Sequence, residues 1–101
     1  MEHQIGKLSE LAEGQPISVS IAGTDLVVIR EGSEVFIFED RCSHADVALS
    51  GGTCADGQIE CPAHGARFDL RTGAAKCMPA VRPIKKFQAR IVEELVFVDF
   101  E

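Results

Sequence analysis

Apolar residues fall into five short runs, either alternating with polar residues or rich in β-branched and aromatic side chains. The runs cover residues 17–21, 26–29, 35–38, 87–92 and 95–100. Turn-forming residues separate the runs at 22–25, 31–34 and 93–94, a spacing typical of antiparallel hairpins. Only residues 7–13 hint at a helix. The pattern therefore predicts an all-β chain with an antiparallel sandwich or barrel as its base.

The two hydrophobic patterns predict different environments for their strands. Residues 17–21 alternate between apolar and polar, as in a strand with one face in the core and one in water. Residues 35–38 are apolar throughout, which predicts a strand buried on both faces.

The middle of the chain has a different composition. From residue 40 to residue 83 Gly, Asp, Pro, Cys and Ala predominate, and the predicted strands shorten to 58–60 and 67–69. A loop-rich segment of this length is uncommon in a compact domain unless a function requires it. We therefore predict one domain, 1–101, with a base of 1–39 and 84–101 and an inserted small β subdomain of 40–83.

This middle segment contains two pairs of metal-ligating residues. They are Cys42-Ser-His44 and Cys61-Pro-Ala-His64, with sixteen residues between the pairs. Two thiolates and two imidazoles suit a tetrahedral zinc ion. They equally suit a [2Fe–2S] cluster in which two His replace two Cys on one iron. The residue types alone leave both metal centres open.

The second pair continues as Cys-Pro-Ala-His-Gly, and the whole C-x-H…C-P-x-H-G pattern resembles the Rieske family. In that family each ligand loop supplies one Cys and one His, because each loop reaches both irons. Zinc modules usually pair like ligands with like. The resemblance implies one [2Fe–2S] cluster, with Cys42 and Cys61 on the inner iron and His44 and His64 on the outer one.

Four positions differ from the high-potential members of this family. Val47 and Ala63 stand where those members carry a pair of Cys in a disulfide, and Ala66 and Phe68 stand where they carry Ser and Tyr. The two missing hydroxyls normally donate hydrogen bonds that stabilise the reduced cluster. The resemblance therefore implies a potential near the bottom of the Rieske range of about −150 to +300 mV.

The net charge indicates which partners are favoured, and the distribution of apolar residues indicates the cellular compartment. The formal net charge of −6 disfavours nucleic acid and anionic lipid, and it favours basic patches on protein partners. The N-terminus has no charged and apolar leader pattern, and nowhere are eighteen consecutive residues apolar. We therefore expect a cytoplasmic protein without a membrane anchor.

The inventory of residues favours an electron carrier over an enzyme. A mononuclear oxygenase iron needs two His and a carboxylate, and only His3 remains once two His bind the cluster. The chain also has no G-x-G-x-x-G nucleotide loop. The resemblance implies the ferredoxin component of a bacterial aromatic-ring dioxygenase system, as for biphenyl, toluene or carbazole. Such a monomer would pass electrons from an NADH-dependent flavoprotein reductase to a terminal oxygenase.

Two alternatives accompany this interpretation: a small Rieske-like subunit of an assimilatory nitrite reductase, and a structural zinc module. The remaining notable residues have ordinary expectations. We expect His3 to be solvated, and Lys85 and Lys86 to mark an exposed sheet edge. Cys54 and Cys77 read as small buried hydrophobes, since a disulfide between them is disfavoured in a reducing compartment.

Overall fold

The computed structural model describes residues 2–41, 48–62, 66–76 and 84–99. The strands in these ranges are β1 (Glu2–Lys7), β2 (Ile17–Ile21), β3 (Thr24–Glu31), β4 (Glu34–Glu39), β5 (Thr53–Ala55), β6 (Gln58–Glu60), β7 (Arg67–Asp69), β8 (Lys86–Val92) and β9 (Leu95–Asp99). Two short 3-10 turns, Leu8–Glu10 and Leu49–Gly51, accompany them. All seven strands predicted from the hydrophobic pattern are therefore present, while β1 and β5 were not predicted. The helix hint at residues 7–13 was wrong apart from the first 3-10 turn.

The strands form two antiparallel sheets. Six of them, in the order β1-β9-β8-β4-β3-β2, curl into a nearly closed barrel. The other three, in the order β5-β6-β7, form a small separate sheet. The predicted fold class, an antiparallel barrel-like base with a small additional β unit, is confirmed. The division of the chain at residues 39/40 and 83/84 stays a prediction.

One arginine of β3 connects that strand to the segment that follows β1. The Arg30 Nη1 atom donates to the carbonyl oxygens of Leu8 and Leu11, each at 3.2 Å. The backbone around it also pairs with the N-terminal segment, since Gly14 N donates to Arg30 O at 2.7 Å and Glu13 forms a parallel bridge with Arg30. Residues 8–14 thereby span the gap between the β1 and β3 sides of the barrel.

Both faces of β3 and β4 are buried, as predicted for β4, because the small sheet covers the outer face of the barrel wall. The inward-facing residues pack in the barrel with Phe87, Val96 and Val98; they are Leu26, Val28, Val35 and Ile37. The outward-facing residues pack against the small sheet and its flanks; they are Val27, Ile29, Phe36 and Phe38. These continuous apolar runs therefore stabilise two cores at once.

A side-chain cluster fixes the turn after β7 to this wall. Arg71 forms a two-pronged ion pair with Glu34, at 3.0 and 3.2 Å, and its guanidinium lies 5.8 Å from the centre of the Phe36 ring. Lys86 Nζ donates to Arg71 O and lies 5.9 Å from the same ring. Gly73, at φ +79°, leaves no room for a Cβ, which would approach Ile84 O to 2.8 Å.

Two expectations about single residues were wrong. Lys86 lies opposite Phe38 in β8, between β4 and β9, and Glu39 N donates to Lys85 O at 2.9 Å, so these lysines do not mark a sheet edge. Their exposed side chains instead contact aromatic rings, Lys85 lying 5.3 Å from the centre of Phe87. His3 is half-buried in β1 opposite Val98 and is not a fully solvated side chain.

No helix in the described part of the chain is long and apolar enough to cross a membrane.

Candidate metal centre

Of the four predicted ligands, the structure describes Cys61, which follows directly after β6. Cys42, His44 and His64 lie outside the described residues. Within residues 2–41, 48–62, 66–76 and 84–99, no three His, Cys, Asp or Glu side chains are grouped as a metal site would require. The full ligand set therefore stays a prediction, and the surroundings of Cys61 provide the test of fit.

Cys61 lies in a dry, apolar environment. Its exposed fraction is 1 %, and it belongs to the core between the barrel wall and the small sheet, together with Leu49, Ile59, Ala66 and Phe68. A buried thiolate is costly unless a positive centre shares its charge. Since a metal ion provides that charge, the position fits a ligating thiolate better than an ordinary ionised cysteine.

The backbone at Cys61 closes the segment that carries His64. Cys61 N donates to Ala66 O at 2.6 Å, and Glu60 lies opposite Arg67 in the β6–β7 pair. The chain therefore leaves and re-enters the small sheet at adjacent positions. The two residues that flank the segment 62–65, Cys61 and Ala66, are therefore joined through their backbones.

Ala66 and Phe68 form part of the wall around Cys61. Both are fully buried in the same core, and Phe68 lies opposite Ile59 in the sheet. Neither side chain has a hydrogen-bond donor. Side chains at these two positions therefore exclude water near the Cys61 thiol and offer no hydroxyl to a ligand sulfur.

The segment carrying Cys42 and His44 is flanked by two residues, Asp40 and Ser50, whose hydrogen bonds sequence reasoning missed. Asp40 Oδ1 accepts from Ser50 N at 2.7 Å, and Asp40 Oδ2 accepts from Ser50 Oγ at 2.8 Å. Between them Leu49 is fully buried in the core that contains Cys61. No local motif joins residues ten positions apart, so only the structure could find this pair.

Cys54 behaves as a packing residue, in agreement with its expected role. Its thiol is half-buried against the inter-sheet core and forms no disulfide. Burial, assisted by the negative charge of Glu31, raises the pKa of the Cys54 thiol from 9.0 to about 11. The group is therefore a neutral thiol at pH 7 and a poor nucleophile. Cys77 lies outside the described residues.

The acidic charge of the chain is not distributed evenly. Residues 1–39 contain seven acidic and two basic side chains, whereas residues 40–83 contain five of each. Within the second segment Arg67 lies 3.5 Å from Glu60 and Lys76 lies 3.7 Å from Asp69. The net negative charge thus resides in residues 1–39 and 84–101 and is absent from the segment with the predicted ligands.

A family model described as the Rieske [2Fe-2S] domain matches residues 1–88. The chain belongs to the Rieske family. Its cofactor is accordingly a Rieske-type [2Fe–2S] cluster, which decides against the structural zinc alternative. The buried thiol of Cys61 and the donor types at the other three predicted positions fit that cluster.

Two ferredoxins match this Rieske chain over nearly their whole lengths. The anthranilate 1,2-dioxygenase ferredoxin subunit of Burkholderia cepacia is 38% identical over 97 residues, covering 96% of this chain and 90% of the relative. The ferredoxin of carbazole 1,9a-dioxygenase from Nocardioides aromaticivorans IC177 superposes with a TM-score of 0.94 at 31% identity, covering 100% of this chain and 99% of that one.

A second solved structure shows such a ferredoxin with its partner. It is a complex of reduced oxygenase and oxidized ferredoxin in carbazole 1,9a-dioxygenase, and it matches with a TM-score of 0.90 at 30% identity, covering 99% of this chain and 97% of that chain. These relatives are ferredoxin components, which carry electrons and are not themselves the catalytic enzymes. This Rieske protein is likewise an electron carrier and not an enzyme.

Proposed function

We propose that this Rieske protein carries single electrons from an NADH-dependent flavoprotein reductase to a terminal aromatic-ring-hydroxylating dioxygenase. The observation that carries the proposal is its end-to-end similarity to a ferredoxin in complex with an oxygenase, covering 99% of this chain and 97% of that one. A carrier of this size has room for the cofactor and for docking, and the partners supply the flavin and oxygen chemistry.

Four side chains would hold the cofactor: Cys42 and Cys61 on one iron, and His44 and His64 on the other. When bound, the cluster supplies a site that accepts and releases one electron. The chain itself provides the surroundings. Leu49, Ala66 and Phe68 are fully buried around Cys61 and keep water from the sulfur side. The described residues therefore form an apolar, water-excluding environment on the cysteine side of the site.

Electron exchange would take place on the histidine side. His44 and His64 lie outside the described residues, and we propose that their non-ligating nitrogens are exposed, so that a partner can approach them closely. Residues 40–83, which contain these histidines, have no net charge, while residues 1–39 and 84–101 carry the acidic excess. Partner recognition at this tip would thus depend on shape and short-range contacts, with the barrel charge acting only at long range.

The proposal includes a low reduction potential and a simple assembly state. The absence of hydroxyls at Ala66 and Phe68 removes two donors that would favour the reduced form. Such a potential suits an electron acceptor for a flavoprotein. We further propose a monomer in the cytoplasm, the compartment where a reductase has access to NADH.

Reconstitution of electron transfer tests this function. The holoprotein is added to NADH, a ferredoxin reductase and a terminal oxygenase of an aromatic-ring dioxygenase system, and hydroxylated product is measured. Product should form only when the holoprotein is present, and Cys61→Ser, which removes a ligand, should not replace it. Reduction of the holoprotein by the reductase without delivery of electrons to any oxygenase would refute the dioxygenase assignment.

A further inference from the structure

We propose that Asp40 and Ser50 are positioning residues that join the two ends of the first ligand segment and thereby favour retention of the metal. The pair, called the Asp40/Ser50 clamp below, flanks the nine residues 41–49, which include Cys42 and His44. The inference rests on the proposed ligand positions and is independent of which reductase or oxygenase the protein serves.

The geometry of the clamp is specific. Both carboxylate oxygens of Asp40 bind the same residue, one accepting from Ser50 N at 2.7 Å and the other from Ser50 Oγ at 2.8 Å. Hydrogen bonds to an ionised carboxylate are stronger than bonds between neutral groups. The two bonds are partly buried, so water competes with them less than it would at an exposed site.

The clamp also replaces a missing helix cap. Ser50 lies in the 3-10 turn Leu49–Gly51, whose N-cap position is Ala48, a residue without a side-chain acceptor. Asp40 therefore accepts a backbone N–H that has no local side-chain partner. The capping side chain comes from the other side of the ligand segment. The bond that caps the turn therefore also joins the two ends of that segment.

Each end of the clamp is anchored to rigid structure. Asp40 N donates to Asp25 O at 3.0 Å, which fixes the carboxylate side to the start of β3. On the other side Leu49 is fully buried in the core with Cys61, and Gly52 permits close approach of the backbone to Glu60 O, where a Cβ would lie at 1.9 Å. The clamp thus fixes the spacing between two anchored positions on either side of Cys42 and His44.

The residues that flank the two ligand segments are therefore joined in different ways. Those flanking the shorter segment, 62–65, are joined by the backbone bond from Cys61 N to Ala66 O, which side-chain substitution does not remove. The longer one depends on a side chain that can be changed. Loss of the bonds between Asp40 and Ser50 should therefore shorten the time for which the metal stays bound, because metal affinity depends on the chain that joins the ligands being folded.

The test measures the rate at which visible absorption bleaches when the purified holoprotein is mixed with an iron chelator. Asp40→Ala, which removes both bonds, should accelerate the loss about tenfold or more, and Ser50→Ala, which keeps the backbone bond, about threefold. Asp40→Asn can still accept from Ser50 N and donate to Ser50 Oγ, so it should lose its cluster more slowly than Asp40→Ala but faster than the wild type, because bonds between neutral groups are weaker. That rescue separates the role of the bonds from the role of the charge.

Asp69→Ala is the matched control. Asp69 accepts from Arg71 N at 2.7 Å in the same part of the chain, but it does not flank a predicted ligand segment. It should lose its cluster at the wild-type rate. The reduced-state EPR line shape should broaden in Asp40→Ala and Ser50→Ala and stay unchanged in Asp40→Asn and Asp69→Ala, a pattern that a general loss of stability would not produce.

The outcomes are distinguishable. Wild-type rates in both Asp40→Ala and Ser50→Ala, or an Asp40→Asn rate as fast as that of Asp40→Ala, would overturn the clamp. Retention of the cluster in Cys42→Ser would instead overturn the ligand positions on which it rests. If Asp40→Ala fails to fold, the comparison of Ser50→Ala with Asp40→Asn still decides the question.

Discussion

Adding a hydroxyl at Ala66 should raise the reduction potential. Ala66 is fully buried in the core that contains Cys61, and its carbonyl oxygen accepts from Cys61 N at 2.6 Å. A Ser side chain at this position would therefore lie in the buried core next to the residue that carries the ligand thiol, in a region without water. The hydroxyl can donate to a sulfur acceptor there, and the reduced state, which carries one more negative charge, would be the better acceptor.

The size of the shift follows from the strength of one such bond. A hydrogen bond worth about 1 kcal/mol more in the reduced state corresponds to roughly 40 mV, since tenfold in a one-electron equilibrium is about 59 mV. If the introduced hydroxyl finds no partner, its burial should instead lower the free energy of unfolding by about 1–3 kcal/mol. Potential and stability together therefore report where the hydroxyl points.

Protein-film voltammetry of Ala66→Ser and the wild type provides the measurement. The matched control is Ala75→Ser, because Ala75 packs against the same core and bridges Phe68 but does not pair with Cys61. Its potential should remain that of the wild type. An unchanged or lowered potential in Ala66→Ser, with an intact cluster spectrum, would refute the idea that a missing donor keeps the potential low.

Three further predictions concern other parts of the structure. Arg30→Met should lower the free energy of unfolding by about 2–3 kcal/mol and Tm by roughly 10 °C, because three guanidinium–carbonyl bonds at 2.8 to 3.2 Å are lost; Arg90→Met, which removes an exposed ion pair with Glu2, should hardly change Tm by calorimetry. The raised pKa of Cys54 means that its neutral thiol stabilises the fold below pH 9 and that this contribution falls as pH rises from 9.0 to about 11. Chemical denaturation across that pH range should show that the free energy of unfolding falls by about 1 kcal/mol less in Cys54→Ala than in the wild type, allowing for the half-exposed site. Parallel plots of unfolding free energy against pH for the two proteins would contradict the pKa shift. The rate of reduction by the flavoprotein should fall as salt rises from 0.01 to 0.1 M, as the Debye length falls from about 30 Å to about 10 Å; a rate that does not depend on salt would contradict electrostatic steering.

The strands of the fold were predictable where local pattern decides them. The apolar run at 35–38 correctly indicated a strand buried on both faces, and the run at 26–29 correctly indicated a strand, which the structure also buries on both faces. By contrast β1 is polar and pairs with β9 at the other end of the chain, so its strand state depends on a partner about ninety residues away. Local pattern does not contain that pairing.

Strand order and loop closure were likewise beyond the sequence. Lys85 and Lys86 suggested an edge because charged residues often protect edges, yet β8 lies inside the barrel sheet. The Asp40/Ser50 clamp joins residues ten positions apart through side chains that are unremarkable in sequence. The cofactor, on the other hand, was predictable from the resemblance carried by the C-x-H…C-P-x-H-G pattern, whereas the residue types alone left zinc and iron–sulfur open.

Pulsed EPR on the reduced holoprotein, grown with ¹⁵N-histidine, tests the central claim most directly. The chain contains three His, and we predict that nitrogens from two of them couple to the cluster. Both couplings should persist in His3→Gln, because His3 lies in β1 opposite Val98 and is not a predicted ligand. Absence of nitrogen coupling in the wild type, or its reduction to a single nitrogen in His3→Gln, would contradict ligation by His44 and His64.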